Sequence, residues 1–235
     1  ILASRHDRGL PEIPISVNLS RRSIFNSSLY DEIVALVEKY GIEPRLFRIG
    51  VTESSYTENI DLVISMVTRL QDYGFTVLMD DFGSGYSSFN AFSDIPVNIL
   101  KADMVFMQNL ERNSRVASIF TSIVNMAHGL GIPVIAEGVE SREQVDMLRS
   151  MNCIYGQGFY FCKPMTVQEI HSMLDRMDAD DYACTDLRRR NAEEGVFLRD
   201  LKTERDALAI LRESALVLAG MDLNTGELQV AKADI

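Results

Sequence analysis

Two adjacent aspartates, Asp80 and Asp81, follow the apolar run Val77-Leu78-Met79 and precede a loop punctuated by Gly83 and Gly85. An apolar run stopped by turn residues reads as a buried strand, which puts both carboxylates at a strand end. Side by side they repel each other unless a cation or a strong donor lies between them, so the pair is a candidate divalent-metal site. Ser84, Tyr86, Ser87 and Ser88 add hydroxyl donors just beyond it, and the glycines let backbone come close to a ligand. The competing use of such a pair is to cap a helix beginning near Ser87.

The elements that must position this pair repeat one unit. Ile13 to Leu19 reads as a strand, Asp31 to Tyr40 as a helix closed by Gly41, and Leu46 to Val51 as a second strand running into Thr52, Glu53 and Ser54. Ile60, Val63, Val67 and Leu70 share one helical face before Gly74, and Thr76 to Met79 is the third strand. Ile99 to Lys101 is a fourth, an amphipathic helix spans Ser114 to Leu130, and Pro133 to Ala136 is a fifth strand finishing at Glu137. Ser141-Arg142-Glu143-Gln144 is a capping-box pattern opening a helix to Met151. A sixth strand over Tyr155 to Phe161 carries Gln157 and Gly158, and a second box starts at Thr166.

Such alternation argues an α/β fold with a parallel sheet and crossover helices, either doubly wound or a (β/α) barrel of the eight-stranded TIM type. Asn18, Glu53, Asp80 with Asp81, Lys101, Glu137 and Gln157 fall at or just past the ends of six successive strands. In a barrel those ends converge on one mouth, where active sites are built. That convergence favours the site reading of Asp80 and Asp81 over the helix cap.

Composition narrows what such a mouth binds. Lys plus Arg number 23 against 34 for Asp plus Glu, a formal charge of -11, which argues against polymeric nucleic acid as a partner. An anionic small molecule remains possible where metal ions or a few placed cations receive it. Cys153, Cys162 and Cys184 form no C-x-x-C pair, so neither a disulfide framework nor a structural zinc site is expected, and a reducing, cytoplasmic setting is. No apolar run is long enough to span a bilayer. His6, His128 and His171 are scattered without ligand spacing.

At this point six motifs resemble the EAL domain family: V-N-L-S at Val17, V-T-E-S at Val51, D-D-F-G-S-G-Y-S-S at Asp80, L-K-A-D at Leu100, A-E-G-V-E at Ala136 and G-Q-G-F at Gly156. The resemblance implies a barrel that acts on the bacterial messenger cyclic di-GMP, using Mg2+ or Mn2+ in a two-metal phosphodiester hydrolysis. It implies Asn18, Asp80 and Asp81 as metal ligands, Lys101 beside the nucleophile, Glu137 as general base and Gln157 orienting substrate or water. Glu53 resembles the glutamate that pins the loop Phe82 to Ser88, which in the family links ligand binding to homodimer contacts. Ser84, Lys101, Gln157 and Pro164 are the expected ligand contacts. The chain departs from the family at Gly50, where a metal-binding glutamate is expected, and a first-strand glutamate is expected before Val17.

The expectation is therefore a hydrolytically impaired member that serves as a cyclic di-GMP receptor or regulatory module, its metal weak or absent. The alternatives are an active phosphodiesterase giving linear pGpG and a vestigial scaffold or dimerisation module. The barrel is expected over residues 1–178, incomplete for want of its first strand and helix, and the opening on Ile1 reads as a fragment. A polar linker over 179–192 and a helix over 193–218 with a near-heptad stripe follow. Residues 219–235, with the turn Asn224-Thr225-Gly226-Glu227, resemble the opening of a PAS-type sensory domain.

Overall fold

In the computed structural model of the chain, six parallel strands lie side by side in sequence order and curl into half of a barrel. They are β1 (Ile15–Leu19), β2 (Phe47–Thr52), β3 (Val77–Phe82), β4 (Ile99–Ala102), β5 (Val134–Glu137) and β6 (Tyr155–Gln157). Parallel neighbours require crossovers, and among the described residues helices supply four of the five. Helix α1 (Leu2–Asp7) precedes β1, while α2 (Arg21–Ile24) and α3 (Leu29–Lys39) lead to β2 and α4 (Ile60–Tyr73) to β3. Helices α5 (Met104–Leu110) and α6 (Ser114–Gly129) join β4 to β5, α7 (Arg142–Ser150) joins β5 to β6, and α8, residues 167–175, follows.

The structure describes residues 1–10, 13–57, 60–84, 96–175, 220–222 and 227–229. The linker expected over 179–192, the helix over 193–218 and the expected dimer loop from residue 85 onward lie outside the described residues. The strands 220–222 and 227–229 pair antiparallel, as a hairpin requires. Among the described residues no helix is long and apolar enough to cross a membrane.

Period-two alternation decides which side chains reach the barrel interior. Ile49, Val51, Val77, Met79, Leu100 and Val134 point outward onto Val63, Val67, Leu70, Phe120 and Val124 of the helices. Leu78, Ile99 and Ile135 point inward and form a separate small core with Tyr155. A third cluster of Leu2, Ile15, Leu46, Ile170 and Leu174 packs α1 and α8 together beside β1, with an Arg8–Asp175 ion pair of 2.9 Å at its rim.

Local chemistry sets the element ends. Ser141 Oγ accepts the Gln144 N–H at 3.1 Å, and the Gln144 side chain accepts the Ser141 N–H, completing the box expected from sequence. Thr166 and Glu169 make the same reciprocal pair at the start of α8. Helix α5, not foreseen, is capped by Asp103, whose carboxylate accepts the Val105 N–H at 2.7 Å. Two boundaries differ from expectation. β3 runs on to Phe82 and takes both aspartates into the strand, whereas β6 stops at Gln157 instead of Phe161. Past that end the chain runs tight against the segment after β5: the Tyr160 N–H donates to the Val139 carbonyl oxygen at 3.0 Å, and a Cβ at Gly158 would stand 2.1 Å from the same oxygen.

Candidate active site

The strand register stacks the expected site residues. Asn18 pairs with Gly50, Gly50 with Leu78, and Leu78 with Ile99. In an eight-stranded barrel the level climbs about one residue per strand, and inward side chains of alternate strands share a layer. Counting up from those pairs puts Asn18 of β1, Asp80 of β3 and Glu137 of β5 in one layer. Gly50 of β2, Lys101 of β4 and Gln157 of β6 form the layer beside it.

Adjacent residues of a regular strand point to opposite faces, so Asp80 and Asp81 need a device to share a site. A bulge provides it. The pairing of β3 with β4 runs Met79 to Leu100 and then Phe82 to Ala102, leaving both aspartates opposite Lys101. Asp81 takes a left-handed φ of 57° at this point. As a result one carboxylate oxygen from each of Asp80, Asp81 and Glu137 lies within 4.8 Å of the others.

Lys101 is the cation of this cluster. Its Nζ donates to Asp80 Oδ1 at 2.7 Å and to Glu137 Oε1 at 2.5 Å. Asp80 and Lys101 are each 2% exposed, so the pair lies in a medium where charges interact strongly. Burial alone would lower the Lys101 pKa, but Glu137 and Asp80 outweigh it and hold the ammonium above the ordinary lysine value. Burial pushes Glu137 up to about 7, with Asp80 and Asp81 adding to the push and Lys101 opposing it. Burial and then the neighbouring Asp80 raise Asp81 as well. Three carboxylates around one ammonium leave the cluster short of positive charge. Their oxygens are hard donors close enough together to share a metal ion.

Around the cluster, the buried Glu53 carboxylate accepts the Gly83 N–H at 2.8 Å and so holds the start of the loop after β3. Gly83 has a φ of +93°, and a Cβ there would meet the Phe106 ring. Ser84 is exposed, its N–H on the Asp81 carbonyl at 3.2 Å. Gln157 carries a buried Oε1 with no hydrogen-bond partner among the described residues. Pro164 is exposed on the loop between β6 and α8. Asn18 is also exposed, and its carboxamide lies over Gly50: an ideal Cβ at Gly50 would stand 2.2 Å from Asn18 Oδ1. Two further inward residues, Ser16 and Arg48, escaped the sequence reading, whose only signal for them is the period of two.

Comparison with known proteins gives the geometry a context. Residues 1–164 match the family model described as the EAL domain. Over 173 residues the chain is 32% identical to the cyclic di-GMP phosphodiesterase NbdA of Pseudomonas aeruginosa, covering 74% of this chain and 22% of that protein. Over 164 residues it is 31% identical to the cyclic di-GMP phosphodiesterase PdeR of Escherichia coli, covering 70% and 25%. The chain thus spans about a quarter or less of these two curated relatives. Among solved structures, the PaMucR phosphodiesterase in complex with c-di-GMP aligns with a TM-score of 0.67 at 30% identity, over 72% of this chain and 68% of that one. The EAL domain of Mycobacterium smegmatis DcpA aligns with a TM-score of 0.70 at 26% identity, over 74% and 79%.

Proposed function

The chain belongs to the EAL domain family, and from that premise we propose that its barrel mouth binds cyclic di-GMP as a receptor or regulatory module, with hydrolysis severely impaired. Gly50 carries the reading. It shares a layer with Lys101 and Gln157 yet offers no side chain, and the neutral Asn18 carboxamide lies over it. Loss of even an outer-shell partner typically weakens metal binding about 10- to 100-fold, and loss of a ligating carboxylate costs at least that.

A bound Mg2+ or Mn2+ would be held by Asp80 and Asp81 with Asn18 nearby, and would supply polarisation of the phosphate and a water of lowered pKa. The chain's own residues do the rest. Lys101 donates to Asp80 and Glu137 and fixes both carboxylates. Glu137, pushed up to about 7, is a base matched to neutral pH. Gln157 offers its unpartnered amide oxygen to a ligand or water. Glu53 holds the start of the loop that begins at Gly83.

A second reading, an active phosphodiesterase, is supported by the close approach of Asp80, Asp81 and Glu137 beside Lys101. One experiment separates the two. Cyclic di-GMP is titrated calorimetrically into the protein with Mg2+ and again with EDTA, and the recovered nucleotide is analysed by chromatography. Heat that survives EDTA, with the nucleotide intact in both arms, is expected. Linear product in the Mg2+ arm would establish the enzyme instead, and absence of heat in both arms would overturn binding.

A further inference from the structure

Ser16 and Arg48 are register partners on β1 and β2. They lie two residues before Asn18 and Gly50 on the same strands, so the period of two puts them on the inner face one step deeper in the barrel. Ser16 is 1% exposed. Its Oγ and the Arg48 Nε are both buried, and neither has a hydrogen-bond partner among the described residues. On the same inner face Leu78, Ile99 and Ile135 form a small apolar core with Tyr155 against it, and Arg48 as a whole is half-buried.

Leaving a buried donor unpaired costs about 1–3 kcal/mol. Here two such donors stand next to each other. Arginine stays protonated in proteins, so the deficit at this point is specifically one of negative charge. Burial lowers the Arg48 pKa and the nearby Tyr155 raises it, neither of which removes the charge.

We propose that Ser16 and Arg48 form an oxyanion subsite on the barrel floor that takes a phosphate group. A guanidinium presents parallel N–H donors that match two oxygens of a phosphate, and a serine hydroxyl supplies a further donor. Gly50 stands two residues above Arg48 on the same face of β2 and puts no side chain over it. What covers Gly50 is the exposed Asn18 carboxamide, a group that can swing aside. The acidic cluster sits on β3 and β5 rather than on these two strands, so an anion at Arg48 keeps its distance from Asp80, Asp81 and Glu137. The subsite adds a cationic contact for a phosphodiester ligand that needs no metal, yet it stands on the two orphaned donors and not on the identity of the nucleotide.

The test uses inorganic phosphate as probe in EDTA, with thermal unfolding followed at constant ionic strength against chloride and acetate. Wild-type protein is expected to show a saturable phosphate-dependent rise in Tm that the other anions do not give. Arg48→Met should abolish that rise while leaving the protein folded in phosphate-free buffer, because the half-buried Arg48 has no partner on its buried Nε to lose. Ser16→Ala and Arg48→Lys, which keep the fold's volume or charge, should each weaken phosphate by tenfold or more. Absence of a rise in the wild type overturns the proposal. So does an equal rise in all variants, or an equal response to acetate, which would mean an adventitious ion only. Cyclic di-GMP is absent throughout, so failure here leaves the nucleotide titration standing, and the reverse.

Discussion

Replacing Gly50 by glutamate bears most directly on the impaired-site reading. An ideal Cβ at this position stands 2.2 Å from Asn18 Oδ1 and 3.2 Å from its Cγ, so even alanine displaces the carboxamide. Moving an exposed amide off its preferred rotamer costs on the order of 0.5–1.5 kcal/mol. Removing a glycine from a strand interior returns roughly 0.5–1 kcal/mol, which leaves Gly50→Ala near neutral. Glutamate adds a fourth carboxylate to a cluster whose buried cation is Lys101, so Gly50→Glu should be less stable than wild type in EDTA. Mg2+ should reverse the order. At a concentration near the wild-type Kd, a gain of about a hundredfold in affinity raises the stabilisation by bound ion from about 0.4 to about 2.7 kcal/mol. For a chain of this size that difference is worth roughly 5–9 °C in Tm. The assay is thermal unfolding of wild type, Gly50→Ala and Gly50→Glu in EDTA and across a Mg2+ titration. An identical Mg2+ response in all three would refute the assignment of position 50 as a ligand position.

Lys101→Met should be among the most damaging single changes, because it leaves Asp80 and Glu137 buried without their shared cation. Breaking such a pair costs about 3–5 kcal/mol, to be read from urea unfolding in EDTA, and part of the loss should return with Mg2+. The metal-free protein should also lose stability as pH rises. Glu137 keeps its proton up to about 7 in the folded state against an ordinary value of 4.5, so the folded chain binds more protons in that window. Stability is then full below 4.5, falls toward 7 and is flat above it, with Asp81 adding in the same direction. A Tm against pH series in EDTA should show this slope in wild type and a flatter one in Glu137→Gln. Gly158→Ala places a Cβ 2.1 Å from the Val139 carbonyl oxygen and 2.3 Å from its nitrogen, atoms that cannot step aside as a side chain can. The overpacking should cost at least about 1–3 kcal/mol and speed hydrogen exchange at the Val139 amide, which bonds Gln157 O at 3.0 Å in the wild type.

The sequence carried the strand ends well because a parallel barrel gathers its chemistry at one end of every strand. Asn18, Asp80, Lys101, Glu137 and Gln157 could be named before their contacts were known. Both capping boxes were legible as well, since Ser141 with Gln144 and Thr166 with Glu169 act within a single turn. What stayed hidden depends on pairing between strands. No residue type announces the bulge that swings Asp81 into the site, because the bulge is a shift of β3 against β4. The bridge from Lys101 to Glu137 likewise needs β4 and β5 side by side. Ser16 and Arg48 lie below the strand ends, where a search for mouth residues does not look. Helix α5 is too short for a periodic apolar stripe to stand out, and its Asp103 cap sits in a motif that reads first as the end of a strand.

Charge balance at the mouth connects Gly50 to the receptor reading. A cluster built around divalent ions has more carboxylates than its own cations can neutralise, and it is stable only while the ions are bound. Here Lys101 already bridges Asp80 and Glu137, and the position that would bring a further carboxylate on β2 is a glycine covered by an amide. Burial pushes Glu137 up to about 7 and raises Asp81, so protons compete with a cation for these carboxylates. Each of these features moves the mouth toward neutrality without an ion. An anionic ligand meets least repulsion in such a mouth, and Arg48 on the neighbouring strand adds the one inward cation that no carboxylate among the described residues has claimed by a hydrogen bond. On the proposed reading the same arrangement would weaken hydrolysis and favour binding, and the sign of the Mg2+ effect on Gly50→Glu is where the two separate.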